Sequence, residues 1–216
     1  GAATVLCTDK TGTITENRME IFQLYDFATD KVLSKENWKS ESAQKLLSTA
    51  MWSSENVPFN TMEIAIHKSY EENIRVDRRG EFKMIHEYPL DGKPPMMTHI
   101  FAKKNGERII AVKGAPEAIL ASSTLDVAQK EKVNEQLEAF AKAGLRVLGV
   151  GIIEFEGNEF PEKQQDFKNT FLGLIGFYDP PKKNISQVFN QLYDAGVKIK
   201  IITGDNLITT TAIAQQ

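Results

Sequence analysis

The residues best placed to do chemistry stand near the start of the chain, in "VLCTDKTGTITENRM" (Val5 to Met19). An apolar run, Val5-Leu6-Cys7, leads to Asp9, and Lys10, Thr11 and Gly12 follow at once. A carboxylate at the end of a parallel strand sits where open α/β sheets keep their ligands. Small residues after it let a loop close around a phosphate, so Asp9 is a candidate nucleophile toward a phosphoryl group. The far end of the chain repeats the pattern: "VKIKIITGDN" is an apolar strand that empties into Thr203, Gly204 and Asp205.

Elements between these loops must hold them in place. "RMEIFQLYDFATDKVL" reads as strand, turn near Thr29-Asp30, and strand. A helix capped by Ser40 or Ser42 and a second helix over Met62 to Glu72 follow. "EFKMIHEYPL" is a strand, and "MTHIFAKKNGERIIAVKG" a hairpin turning at Asn105-Gly106. Pro116 suits a first helical turn, and Asp126 and Gly144 bracket a longer helix. "LRVLGVGIIEF" and "FLGLIGFYD" read as strands, and a helix from Asn184 to before Gly196 precedes the last one. The two ends thus carry the grammar of a parallel α/β unit, whereas the middle carries that of an antiparallel sheet with helices on it. We expect an α/β domain in two segments, 1–20 and 178–216, interrupted by an inserted α+β domain at 21–177. Pro180-Pro181 makes a stiff connector.

Composition excludes several classes. With 216 residues, 41% hydrophobic and 25% charged at net charge -3, the chain has the balance of an ordinary globular protein, without the basic excess of a nucleic-acid binder. Apolar runs such as "FLGLIGF" fall far short of the roughly 20 residues that span a bilayer. Gly1-Ala2-Ala3 carries no charged leader, so no secretory signal is expected. The single cysteine, Cys7, excludes an internal disulfide and is expected to be a small buried hydrophobe. His67, His86 and His99 lack the spacing of a zinc motif.

Four motifs in order carry a resemblance: "DKTGT" with "ITENRM", then "KGAPE", "DPPK" and "TGDN". The chain resembles the P-type (E1-E2) cation-transporting ATPases along its whole length, closest to the calcium-pump-like branch. The resemblance implies a nucleotide-binding domain set between parts of a phosphorylation domain of the haloacid-dehalogenase-like, Rossmannoid α/β fold. It further implies ATP and Mg2+ as cofactors and a place on the cytoplasmic side of a membrane, with membrane-spanning and actuator domains of the same pump as partners. The transported cation would not bind to this region.

Residue by residue, the resemblance makes Asp9 the aspartate that attacks the γ-phosphate of ATP, with Lys10 and Thr11 in its loop. A carboxylate needs no base to be nucleophilic. Mg2+ would lie on the Asp9 carboxylate and the Thr11 carbonyl, while Thr203 and Gly204 grip the phosphate and Asp205 orders their loop. Lys113 and Gly114 of "KGAPE" are similar to the lining of the family's adenine pocket. Glu63 matches a carboxylate near the adenine amino group, although Met62 stands where the family has threonine. Arg146 resembles the arginine that reaches the phosphates, and Asp179 belongs to the hinge beside the ribose.

The chain departs from the pattern in "YPLDGKPPMMTHIF", where the aromatic that stacks on adenine gives way to Leu90, with Tyr88 two residues earlier. Either could be the platform. Where dehalogenase-type phosphatases carry a second aspartate, this chain has Thr11, which favours a long-lived acyl phosphate over a soluble phosphatase. The family's metal-completing Gly-Asp-Gly loop would lie beyond Gln216. The chain is therefore expected to be a pump fragment that binds ATP weakly and does not turn it over by itself.

Overall fold

The computed structural model describes residues 3–74, 76–157 and 159–202. Two sheets are present among these residues. The larger has seven strands, all antiparallel: β2 (Glu20–Asp26), β3 (Lys31–Leu33), β4 (Lys83–Asp91), β5 (Met96–Ala102), β6 (Arg108–Gly114), β7 (Arg146–Ile153) and β8 (Asn169–Tyr178), in the order β3-β2-β8-β7-β6-β5-β4. The smaller joins β1 (Val5–Asp9) to β9 (Lys198–Ile202) in parallel, with Asp9 opposite Ile202.

Each face of the large sheet carries a helical pair. α1 (Glu41–Trp52) and α2 (Thr61–Asn73) cover one face, burying Leu46, Leu47, Ile66 and Tyr70 against Leu24, Val150, Ile175 and Phe177. α3 (Pro116–Ala121) and α4 (Val127–Lys142) cover the other, where Ile119, Val133 and Phe140 meet Ile110, Val112 and Leu174. Leu24 and Tyr25, or Leu174 and Ile175, point to opposite sides because strand residues alternate. Burying both faces makes this sheet the rigid body of the molecule.

Local side-chain chemistry sets most of the helix boundaries. Ser40 caps α1, accepting from the Ala43 amide, and Asn60 caps α2, accepting from that of Glu63. Asp126 and Gln129 form a reciprocal capping box at α4, and Gly144 takes the left-handed conformation just past its end. The β5–β6 hairpin turns at Asn105-Gly106, with Gly106 at φ +89°. In α5 (Ile185–Asp194), the expected cap Asn184 makes no side-chain bond to the helix.

One expectation fails at β1. Cys7 is exposed, as are Val5 at 44% and Leu6 at 40%. The strand forms as expected, but it pairs only with β9 among the described residues, and Lys198 and Lys200 stand opposite Val5 and Cys7. A two-stranded sheet cannot bury both faces of a strand.

The route between the two sheets is a clasped pair of connectors. Thr15 and Pro181 form an antiparallel bridge; the Glu16 amide donates to the Pro180 carbonyl at 2.9 Å and the Lys182 amide to the Ile14 carbonyl at 2.9 Å. No helix among the described residues is long and apolar enough to cross a membrane.

Candidate functional site

A cleft of about 630 Å³ opens where β4, β6, α2 and β7 come together. Met62, Leu90, Pro95, Gly114, Arg146 and Leu148 line it. The floor is mostly apolar, and Arg146 brings a cation to the rim, the mixture of apolar lining and few polar groups common in ligand pockets. Leu90 is 60% exposed there, so its side chain is available to a ligand. Gly114 has to be glycine for a reason of the fold: a Cβ on it would stand 2.6 Å from the Met96 Cα and the Pro95 carbonyl oxygen. The Pro95–Met96 backbone runs too close for any side chain at this position.

One residue along from Met62 and Gly114 lies an ion pair. Lys113 Nζ donates to Glu63 Oε1 at 2.8 Å, and the two side chains are 4% and 3% exposed. The ammonium also donates to the Ser53 carbonyl and to Met97 Sδ, so all its protons are used. Burial still dominates and holds the ammonium down to about 8. The Glu55 amide donates to the same Glu63 oxygen at 3.3 Å, while Glu63 Oε2 has no partner. His99 lies behind this pair on β5, fully buried; burial first, then the Lys113 ammonium, hold its imidazole down to about 4.

At the other end of the molecule, Asp9 closes β1 and turns the chain. Its Oδ1 accepts the Lys10 amide at 2.8 Å, and the carboxylate stays exposed. Gly12, at φ +80°, completes the reversal, and Lys182 Nζ donates to its carbonyl at 2.7 Å. Lys10 itself is buried at 2% exposure. The two regions meet where Arg146 Nη2, from the cleft rim, donates to Thr11 Oγ1 at 3.4 Å. The guanidinium at the cleft rim therefore also reaches the loop that follows Asp9.

The structure separates the two aromatic-position candidates. Tyr88 is 8% exposed, packs edge-on to Phe167 at 5.8 Å and donates its hydroxyl to the Pro161 carbonyl at 2.5 Å. It is core, on the sheet face away from Lys113, and does not line the cleft; Leu90 does. Asp179 is 5% exposed, with Oδ2 accepting from Thr15 Oγ1 at 2.7 Å and Oδ1 from the Arg18 amide at 3.1 Å. Both oxygens accept bonds that clasp the two connectors, which gives Asp179 a positioning place at the crossing. Thr203, Gly204 and Asp205 lie outside the described residues. Sequence reasoning missed Ser53, Met97 and Leu148. Only Leu148 had a signal, two residues after Arg146 on one face of a strand; the others reach the site through tertiary packing alone.

Comparison with known proteins now bears on this geometry. The family model for the P-type ATPase cytoplasmic domain N matches residues 51–184, more than half of the chain. Calcium-transporting ATPase 1 of Saccharomyces cerevisiae is 31% identical over 100% of this chain and 27% of its own length. The calcium-transporting ATPase of Bacillus subtilis is 27% identical over 100% and 28%, and the plasma membrane-type calcium-transporting ATPase 9 of Arabidopsis thaliana 27% identical over 99% and 23%. The chain thus spans about a quarter of the length of these curated relatives. By the extent of the family match, the chain belongs to the P-type ATPase family, in its cytoplasmic N domain.

Proposed function

We propose that this chain is the ATP-binding region of a cation-transporting P-type ATPase, with two segments of the phosphorylation domain beside it. The observation that carries the reading is the cleft of Leu90, Gly114 and Arg146, backed by the Lys113–Glu63 pair and tied by Arg146 to the Asp9 loop. Adenine would lie on Leu90 and Leu148 beside Gly114, with the phosphates toward Arg146. The division at 1–20, 21–177 and 178–216 is supported by the clasp of Thr15, Arg18 and Asp179, at which both chain crossings run side by side. The parallel β1–β9 pair, with α5 before β9, supports a dehalogenase-like phosphorylation segment.

In the whole pump an Asp9 oxygen attacks the γ-phosphorus of ATP. The bond to the β-bridging oxygen breaks and ADP departs with that electron pair. The exposed Asp9 carboxylate and the Thr11 carbonyl make an all-oxygen donor set of the kind Mg2+ takes, and the ion would offset repulsion between carboxylate and triphosphate. Thr11 offers no carboxylate to activate water against the acyl phosphate. Its hydroxyl accepts from Arg146 instead.

Calorimetric titration tests the binding half. ATP should bind weakly, because Leu90 supplies no aromatic ring. Leu90→Phe is expected to tighten binding by at least about 1 kcal/mol, roughly fivefold. Arg146→Ala should weaken ATP far more than AMP, and Asp9→Asn should leave the affinity unchanged. Equal losses for ATP and AMP in Arg146→Ala would refute the orientation, and loss of binding in Asp9→Asn would refute the division of roles.

A further inference from the structure

We propose that Glu55, Glu87 and His99 form a divalent-cation site of the zinc type, separate from the nucleotide cleft and independent of the reading above. One ligand atom from each of the three lies within 4.8 Å of the others. Glu87 on β4 stands directly opposite His99 on β5 in the sheet register, so the strands hold two of the donors side by side. Glu55 comes from the α1–α2 loop above them. Its backbone is fixed on both sides, the amide on Glu63 Oε1 at 3.3 Å and the carbonyl on His67 Nε2 at 2.9 Å. The loop therefore holds its carboxylate over the sheet.

Two further observations point to a cation. His99 is fully buried, yet neither ring nitrogen has a hydrogen-bond partner; the backbones of Trp52 and Ser54 lie nearby but fall short of bonding geometry. A metal bond would satisfy one nitrogen of this dry imidazole and leave the other to donate to the backbone beside it. The charge is also unbalanced. Three carboxylates, Glu55, Glu63 and Glu87, gather here around the single ammonium of Lys113, a formal excess of two negative charges. A divalent ion restores neutrality without disturbing the Lys113–Glu63 pair.

Nitrogen and carboxylate donors suit zinc, whose bonds of about 2 Å space tetrahedral ligand atoms about 3.3 Å apart. The donors would have to close by at most about 1.5 Å from their present spread. Glu87, exposed, and Glu55, half-buried, can do so by side-chain rotation while His99 stays where the core holds it. Water would fill the remaining position. The sequence hid this site because its ligands come from a loop and two strands, with no motif spacing.

Zinc titration of the nucleotide-free chain, read by ring-nitrogen NMR of the three histidines, tests the proposal. Zinc should bind one equivalent and move the His99 nitrogens. Glu87→Gln and Glu55→Gln, which leave the buried packing alone, should each weaken it at least tenfold, about 1.4 kcal/mol. Magnesium should compete poorly, for want of affinity for imidazole. No saturable binding, shifts at His67 or His86 in place of His99, or affinity unchanged in Glu87→Gln would each overturn the site.

Discussion

Replacing Lys113 by methionine is expected to lower folding stability by about 3–5 kcal/mol at neutral pH, measured by chemical denaturation. The size comes from what is left behind. Glu63 would keep only the Glu55 amide at 3.3 Å for one oxygen and nothing for the other, at 3% exposure. A lone buried carboxylate costs far more than its lost hydrogen bond, because its desolvation is no longer offset. Methionine keeps most of the lysine's volume, so cavity formation adds little. Removing both charges in Lys113→Met/Glu63→Leu should therefore restore most of the loss, with the Ser53 carbonyl the main unsatisfied group. A double variant as unstable as Lys113→Met alone would show that packing, and not charge, carries the cost.

A pH series gives an independent check with a definite sign. Burial holds Lys113 down to about 8, below its ordinary 10.5. Between those values the unfolded chain still holds a proton that the folded chain has released, so stability from this group rises with pH. That contribution is complete above the ordinary value and is lost as pH falls through about 8. The window must end near pH 10, the ordinary tyrosine value, because Tyr70, pushed up to about 12 by burial and by Asp77, loses its own contribution above it. The upward slope should be absent in Lys113→Met.

The Lys113 result bears on how far the sequence disclosed the site. "KGAPE" suggested a nucleotide pocket by resemblance, and its lysine lies directly behind the cleft lined by Gly114. Its bond to Glu63, from a helix fifty positions earlier, could not be read, since nothing local ties β6 to α2. Caps, the Asn105-Gly106 hairpin and the contrast between parallel ends and antiparallel middle were legible because each depends on a few neighbouring residues. Tyr88 and Leu90 show where such reasoning stops. Two apart on a regular strand, they would share a face. The β4–β5 register shifts between Tyr88 and Asp91, and that irregularity separates a core tyrosine from a cleft leucine.

Gly173→Ala is expected to be the most damaging single-methyl change in the large sheet, costing at least about 4 kcal/mol and abolishing a sharp unfolding transition. "FLGLIGF" looks like a strand weakened by glycine, which has no side chain to pack. The structure gives a different reason. A Cβ on Gly173 would stand 1.9 Å from the Tyr25 carbonyl oxygen, with Leu46 Cδ2 at 3.3 Å behind it. The obstacle is backbone in the neighbouring strand, so no rotamer change relieves it. β8 would have to move from β2 by more than 1 Å, roughly the gap to an ordinary van der Waals contact. Gly173 lies between Asp26 and Val150, next to the register shift at Val150 and Gly151, and the Phe27 amide bonds to the Leu172 carbonyl at 3.1 Å beside it. Moving the strand breaks that ladder and displaces fully buried Leu174 and Ile175, which pack on opposite faces. Gly80→Ala is the control: no atom lies within 4 Å of its Cβ, and stability should hold or rise slightly. Because β8 leads directly into the Asp179 clasp, a Gly173→Ala chain that still folds should also lose the protection from hydrogen exchange of the Arg18 amide that Asp179 accepts. Equal stability of the Gly173→Ala and Gly80→Ala chains would mean that β2 and β8 can part without cost, and the sheet would not be the rigid body that positions the cleft.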